Sequence, residues 1–275
     1  MDKQIRQIFS VFCLVMLGLM IWRVVGGVWT PVNWGMFAIA LFCCTAVFAN
    51  FVYIFNYSYA LCVALNSAFI WVMLPGVTAA LMAGVGIAYG LRLFVFTWQR
   101  MHSASYASRV IHIKERSDAT PLFVKILLWI QCAFLHTFHL MAVYFVAARG
   151  ALTFGVALGI VVMLAGTVIE SVSDAQKQAG KARDTKGLVT HGLFARWRHP
   201  NYAGEILFHV GLIIAGMSAV DGLQQLVVVS VAPLYIIILM ISEAQRVDRL
   251  HVEKYAEQSG YAEYRRRSGS LIPGI

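Results

Sequence analysis

Long apolar segments separated by short polar breaks set the hydropathy pattern of this chain. Most of them reach the roughly 20 residues that a helix needs to cross the hydrocarbon core of a bilayer. Leu74-Pro75-Gly76 separates two of the segments and predicts a tight helical hairpin, because proline and glycine end one helix and begin the next. The pattern predicts eight membrane-spanning helices, with seven as the alternative, at about 8–28, 32–53, 57–74, 76–97, 123–147, 151–172, 203–220 and 223–242.

The composition supports this interpretation. Hydrophobic residues make up 60% of the 275 residues, charged residues make up 13%, and the mean hydropathy is +0.72. A soluble domain with one buried core is less apolar than this. We therefore predict an all-α integral membrane protein in which residues 1–275 form a single membrane domain and residues 1–55 are N-terminal scaffold helices. The first segment contains Arg23 and lacks a small-residue cleavage site, so we interpret it as a helix and not as a secretory signal.

The basic residues predict the orientation of the chain. Of the 22 Lys and Arg residues, 19 fall in four polar regions, namely the N-terminal tail, the 98–125 loop, the 173–202 loop and the tail from 243. By the positive-inside rule, both termini and both loops face the cytoplasm, in a bacterial inner membrane or in the endoplasmic reticulum of a eukaryote. The net charge of +9 fits anionic lipid or a phosphate-bearing cofactor. We predict no nucleic-acid partner, because the basic residues are scattered among membrane spans.

The cysteines and the paired histidines of the spans have simple interpretations. All five cysteines, Cys13, Cys43, Cys44, Cys62 and Cys132, lie in apolar segments without CxxC spacing. Buried cysteines pack as small hydrophobic residues, so we predict no metal site. His136 and His139 are three residues apart on one span. That spacing suits a metal, but no third ligand lies nearby in the sequence, and a hydrogen-bonded pair is the preferred interpretation.

The most concentrated polar cluster is Trp197-Arg198-His199-Pro200-Asn201-Tyr202-Ala203-Gly204-Glu205, directly before the apolar run that begins at Ile206. Polar groups at the mouth of a membrane helix are costly to desolvate, so the cluster predicts a functional site. Tyr89 and Arg92 are three residues apart and project from one face of the fourth span. An intramembrane arginine normally has a partner or an anionic ligand, although its side chain can also reach the membrane surface.

Two further polar stretches fall on the predicted cytoplasmic face. If the sixth span continues as a helix, Asp174, Lys177 and Lys181 form one stripe. This stripe is either a solvated face with ion pairs, or a site where the carboxylate receives ribose or base hydroxyls and the lysines meet phosphates. After the eighth span, a polar helical stretch from Glu243 to Tyr264 places His251 and Tyr255 four residues apart.

The polar cluster resembles the C-terminal part of a membrane superfamily. The segment Arg198–Glu205, together with Gly192-Leu193-Phe194, Tyr261-Ala262-Glu263-Tyr264 and Leu271-Ile272-Pro273, is similar to steroid 5α-reductases, sterol reductases and the domain-of-unknown-function 1295 group. Isoprenylcysteine carboxyl methyltransferases share the superfamily and the motif. The resemblance is strong over residues 150–275 and implies that this half of the chain binds a cofactor.

The resemblance to the reductases implies roles for individual residues. Asp174 stands where those enzymes bind the adenosine side of NADPH, and Asn201 with Glu205 matches the pair that holds the nicotinamide. Tyr89 matches the tyrosine that polarises the substrate carbonyl. The full set of cofactor-binding residues implied by the resemblance and by the charged stretches is Arg92, Asp174, Lys177, Lys181, Arg183, Arg198, His199, Asn201, Tyr202, Glu205, His251 and Tyr255.

The chain departs from steroid 5α-reductases about 34 residues before Tyr89. Those enzymes carry a Gln-Glu pair there, whereas this chain reads Phe55-Asn56-Tyr57-Ser58. The missing carboxylate argues against a 3-oxo-steroid substrate. Asn56 and Tyr57 join Tyr89 as the candidate catalytic residues.

The expected function is NADPH-dependent reduction of an activated carbon–carbon double bond in a lipid-soluble substrate. The first alternative is an S-adenosylmethionine-dependent methyltransferase that acts on a lipid or on an isoprenylcysteine-like thiol. The second is a non-catalytic membrane protein that serves in binding or assembly. Membrane lipids are the expected surroundings, and the sequence leaves the oligomeric state open.

Overall fold

The structure is a computed structural model that describes residues 3–274, with side chains from Ser10 onward. Within that range the chain is all-α and contains no strand. The helices are α1 Lys3–Val25, α2 Pro31–Cys44, α3 Ala46–Ala49, α4 Tyr53–Met73, α5 Val77–Met101, α6 Ala107–Asp118, α7 Leu122–His139, α8 Met141–Arg149, α9 Phe154–Arg183, α10 Pro200–Met217, α11 Gly222–Tyr255 and α12 Tyr261–Arg267.

Six helical stretches of the described chain are long and apolar enough to cross a membrane, which confirms an integral membrane protein. They are Pro31–Ala49, Tyr53–Met73, Val77–Met101, Leu122–Arg149, Phe154–Arg183 and Gly222–Tyr255. Ser10–Val25 is a shorter apolar helix. The count of eight spans and the cytoplasmic placement of the termini stay predictions, and Met1, Asp2 and Ile275 lie outside the described residues.

Local sequence signals explain where several helices begin and end. The hydroxyl of Thr30 accepts a hydrogen bond from the backbone N–H of Asn33, whose side chain in turn accepts one from the Thr30 N–H. This capping box, with Pro31 in the first turn, fixes the start of α2. The predicted hairpin is confirmed, because α4 ends at Met73 and α5 begins at Val77. The predicted segments 32–53 and 57–74 leave a polar break between them, but Phe55 to Tyr59 lies inside α4, which begins at Tyr53.

The chain divides into two compact units. The first comprises the described residues up to Val161 together with Gly211–Tyr235. The second comprises Val162–Val210 and the described residues from Ile236 onward. The prediction of a single membrane domain, with a cofactor half at 150–275, stays a prediction.

In the first unit, α4 and α5 pack closely because glycines remove side-chain bulk. A Cβ atom on Gly90 would lie 2.5 Å from the carbonyl oxygen of Ala60. Two hydrogen bonds reach backbone carbonyls of α2: the Ser58 hydroxyl donates to Cys43 at 2.7 Å, and the Trp129 indole donates to Leu41 at 2.7 Å. These bonds hold α4 and α7 against α2.

In the second unit, α9 and α10 cross at a pair of glycines. A Cβ atom on Gly166 would lie 2.5 Å from the carbonyl oxygen of Gly204, and one on Gly204 would lie 2.6 Å from the backbone nitrogen of Glu170. Small residues of this kind let helix backbones approach closely within a membrane. The crossing positions the start of α10, which carries the polar cluster.

Candidate functional site

Asp248 on α11 is the centre of the polar network in the second unit. Its carboxylate accepts hydrogen bonds from His199 Nε2 at 2.8 Å, from Arg198 Nε at 3.0 Å and from Ser270 Oγ at 2.9 Å. Arg198 Nη2 lies 3.3 Å from the second oxygen, so the guanidinium engages the carboxylate with two nitrogens. The Asp248 side chain is 18% exposed and that of His199 is 2% exposed. Charge-assisted hydrogen bonds from three side chains therefore fix the position of this mostly buried carboxylate.

Arg198 also ties the polar cluster to the segment after α12. Its Nη1 donates to the backbone carbonyl of Ser268 and, at 3.2 Å, to that of Arg265. Backbone bonds reinforce the connection: the N–H of Arg198 donates to Gly269 at 2.8 Å, and that of His199 donates to Ser270 at 3.1 Å. Arg198 and His199 were both predicted to bind cofactor, and the side-chain hydrogen bonds described above show that they also organise the protein.

A series of ring contacts runs from α9 to α11 and forms what we call the ring wall, comprising Lys177, Tyr202, His199, His251 and Tyr255. The ammonium of Lys177 lies 6.0 Å from the Tyr202 ring centroid, and Tyr202 stacks on His199 with centroids 5.5 Å apart and 12° between planes. His199 stacks on His251 at 6.0 Å, and His251 meets Tyr255 at 5.6 Å. Five residues predicted separately from sequence are thus brought into one continuous series of contacts.

Two polar atoms of the cluster are buried and lack a hydrogen-bond partner among residues 3–274. They are the side-chain oxygen of Asn201 and the indole nitrogen of Trp197. A buried polar atom without a partner costs about 1–3 kcal/mol. One acceptor and one donor left in this state mark a place where a polar ligand would be stabilised. Glu205 lies one turn after Asn201 and is half-buried.

The stripe on α9 divides into buried carboxylates and more exposed cations. Asp174 is 5% exposed and Glu170 is 4% exposed. Lys181 donates to the carbonyl of Gly187 at 2.7 Å and so orders the loop after α9, whereas Arg183 is exposed. The prediction that α9 continues as a helix through this stripe is confirmed.

The same loop is held from the other side by tyrosines. The Tyr255 hydroxyl donates to the carbonyl of Lys186 at 2.9 Å, and the Tyr264 hydroxyl donates to that of Phe194 at 2.9 Å. Burial raises the pKa of Tyr264, so its phenol stays protonated and remains a donor. Backbone N–H groups of Gly187 and Lys186 lower the pKa of Asp184, which fixes that carboxylate as the acceptor that turns the loop.

The remaining predicted residues lie in the first unit. Tyr89 is fully buried, and the guanidinium of Arg92 lies 5.3 Å from its ring centroid, so the predicted pair does meet. Tyr59 makes an edge contact with Tyr89 at 6.4 Å. Tyr57 packs on Phe94 at 5.3 Å. Asn56 is half-buried on the same turn of α4. The catalytic roles assigned to these residues stay predictions.

Sequence reasoning missed Asp248 and Ser270. Asp248 precedes His251 by three residues and Tyr255 by seven, so the helical spacing already placed all three on one face. This spacing was the available signal. The sequence contains no comparable signal for Ser270, because its role depends on a chain reversal that brings it beside residues 198 and 199.

The arrangement places aromatic rings, an unpartnered amide oxygen and cationic side chains in the second unit. A family model described as "Protein of unknown function (DUF1295)" matches residues 33–268. No curated protein matches the chain.

Proposed function

The chain belongs to the DUF1295 family, and we propose that it is a membrane-embedded NADPH-dependent reductase of an activated carbon–carbon double bond in a lipid. The description of the family names no reaction, so the proposal rests on the chemistry of the side chains and on the resemblance of Arg198–Glu205 to membrane reductases.

The observation that carries the proposal is the buried, unpartnered side-chain oxygen of Asn201. The carboxamide of a nicotinamide carries an N–H₂ group that would satisfy this acceptor. Tyr202, the next residue, stacks nearly parallel on His199 and offers a flat surface beside it. Together they suit an aromatic ring that bears an amide.

Charge provides the second argument. Lys177 belongs to the ring wall, and Lys181 and Arg183 follow it on α9. Cations of this kind bind phosphate oxygens through charge-assisted hydrogen bonds, and NADPH carries three phosphates. The buried carboxylate of Asp174 would accept ribose hydroxyls. A bound NADPH would supply the hydride, and the protein would supply binding and orientation.

Tyr89 is the proposed acid for the acceptor oxygen of the substrate. Its phenol is fully buried, and Arg92 places a cation 5.3 Å from the ring. A nearby cation stabilises the phenolate that remains after proton donation. An apolar setting would suit a lipid substrate, which reaches the protein from the bilayer.

One feature favours a second candidate. The electron-rich rings of Tyr202 and Tyr255 would also attract a sulfonium cation by cation–π contact. An S-adenosylmethionine-dependent methyltransferase is therefore the alternative, and a non-catalytic binding protein is the third outcome.

Equilibrium titrations of the detergent-purified protein test the proposal. NADPH is expected to bind and S-adenosylmethionine is not. Loss of one hydrogen bond in Asn201→Ala is expected to weaken NADPH binding about two- to tenfold. Asn50→Ala is the matched control, because the Asn50 side chain lies in the first unit and accepts a hydrogen bond from its own loop, at Val52. Binding of S-adenosylmethionine alone would establish the alternative, and binding of neither ligand would favour the non-catalytic role.

A further inference from the structure

Three ligand-type side chains from three different helices of the first unit meet in its interior. They are Cys44 at the end of α2, Cys62 in α4 and His136 in α7. One sulfur from each cysteine and one ring nitrogen of the histidine all lie within 4.8 Å of one another. Cys44 is fully buried, Cys62 is 1% exposed and His136 is 4% exposed. The cluster contains none of the residues proposed to bind the cofactor.

The surroundings of His136 offer its ring nitrogens the thiol of Cys44 and no stronger hydrogen-bond partner. Among the described residues, neither ring nitrogen has an oxygen or nitrogen hydrogen-bond partner, so the predicted bond to His139 is wrong. Tyr59 packs on both rings, at 5.7 Å from His136 and 5.3 Å from His139, and so fixes the orientation of the imidazoles. The Cys44 thiol contacts the imidazole, but a thiol is a weak hydrogen-bond partner in an apolar interior, whereas coordination of a metal would use the imidazole lone pair fully.

The thiols of the cluster are also available as metal ligands. All five cysteines are free, so neither Cys44 nor Cys62 is bound in a disulfide. Cys43 lies beside the cluster, where its thiol is a hydrogen-bond partner of Cys62. Cysteine sulfur with imidazole nitrogen is a donor set typical of zinc.

We propose that Cys44, Cys62 and His136 bind a zinc ion inside the membrane domain. Tetrahedral zinc, with bonds of about 2.3 Å to sulfur and about 2.0 Å to nitrogen, holds its ligand atoms roughly 3.5–3.8 Å apart. Atoms that already lie within 4.8 Å of one another need to close by at most about 1.3 Å. Rotation of the side chains supplies such a movement.

Charge balance selects the metal. The two thiolates offset the two positive charges of Zn²⁺, and the imidazole is neutral, so the complex has no net charge. The two thiol protons are released when the metal binds. Copper(I) with the same ligands would leave one net negative charge. An apolar interior penalises net charge, which favours zinc. A neutral ligand such as water would take the fourth position.

The site would join α2, α4 and α7, which contribute one ligand each. A metal site that exists only in the folded chain contributes its binding free energy to folding. We therefore assign this ion a structural role, independent of the proposed reductase activity.

Metal analysis of the protein purified without chelator tests the proposal. The purification uses a tag without histidines. We expect about one zinc per chain, as for a structural site, and a drop of at least about tenfold in Cys44→Ser and in His136→Ala. Cys13→Ser is the matched control, since Cys13 is also a buried free thiol of the first unit but lies outside the cluster. Retention of full zinc by His136→Ala would overturn the proposal.

A second measurement avoids variants that fail to fold. The wild-type protein is stripped of metal and titrated with Co²⁺, which adopts the geometry of zinc. A thiolate-to-cobalt charge-transfer band that saturates near one equivalent, and that Zn²⁺ then displaces, supports the site. Absence of the band, together with absence of zinc in the purified chain, would refute it. Stoichiometric copper in place of zinc would refute the argument from charge balance.

Discussion

Replacement of Asp248 by alanine should destabilise the protein far more than loss of a surface ion pair. The substitution removes the common acceptor of His199, Arg198 and Ser270. It leaves the 2%-exposed imidazole of His199 and the 13%-exposed guanidinium of Arg198 without their anion. Arg198 keeps its bonds to the carbonyls of Arg265 and Ser268, which limits the loss.

The size of the effect follows from burial. Removing one partner of a buried ion pair costs about 3–5 kcal/mol, because the other charge stays desolvated. Arg149 and Asp221 form a comparable pair at 3.2 Å, but their side chains are 43% and 86% exposed. An exposed pair contributes about 0–1 kcal/mol. Asp221→Ala is therefore a matched control for Asp248→Ala.

The assay is thermal unfolding in detergent, followed with a thiol-reactive dye. All five cysteines are buried and free, so the dye reports the opening of the membrane core. We expect Asp248→Ala to lower the unfolding temperature by several degrees and Asp221→Ala to change it little. Equal shifts for the two variants would show that the Asp248 network adds no more stability than a surface pair, and the reasoning from burial would fail.

Four other substitutions have clear expectations. Gly166→Ala should destabilise the protein by about 1–3 kcal/mol, because its Cβ would meet Gly204. Gly84→Ala, a helical glycine with nothing within 4 Å of an added Cβ, should be neutral or slightly stabilising in the same melt. Tyr264→Phe should cost about 1 kcal/mol through one lost hydrogen bond in unfolding measurements. Tyr89→Phe should leave NADPH affinity unchanged and slow NADPH oxidation, and normal turnover would reject the proton-donor role.

Sequence alone predicted the helical elements well, because a bilayer demands long apolar helices and leaves little choice of structure. The turn at Pro75–Gly76 was confirmed for this reason, and the polar helical stretch predicted from Glu243 to Tyr264 was confirmed as far as Tyr255, where α11 ends. The boundary near Tyr53 was missed, since the polar residues of α4 gave a false signal of a break. A helical turn of tyrosine, asparagine and serine inside a span has the composition of the membrane–water interface, and the sequence does not show which neighbours pack against it.

The candidate site was predicted in part. Spacing along one helix placed His251 beside Tyr255, and the structure confirms that contact. Contacts between distant segments could not be predicted, and Asp248 with Ser270 is the main example. The Cys44, Cys62 and His136 cluster was missed because its members are far apart in sequence and each alone fits core packing.

The long reach of Arg198 has a consequence for biogenesis. Its partners Asp248, Arg265 and Ser268 follow it by 50, 67 and 70 residues, with the apolar part of α11 in between. During synthesis the guanidinium therefore emerges well before any of these acceptors exists. Water or lipid phosphate must solvate it until α11 has inserted. A chain stalled before that point would present an unneutralised arginine at the membrane surface, a feature by which cellular quality control could distinguish unfinished from finished protein.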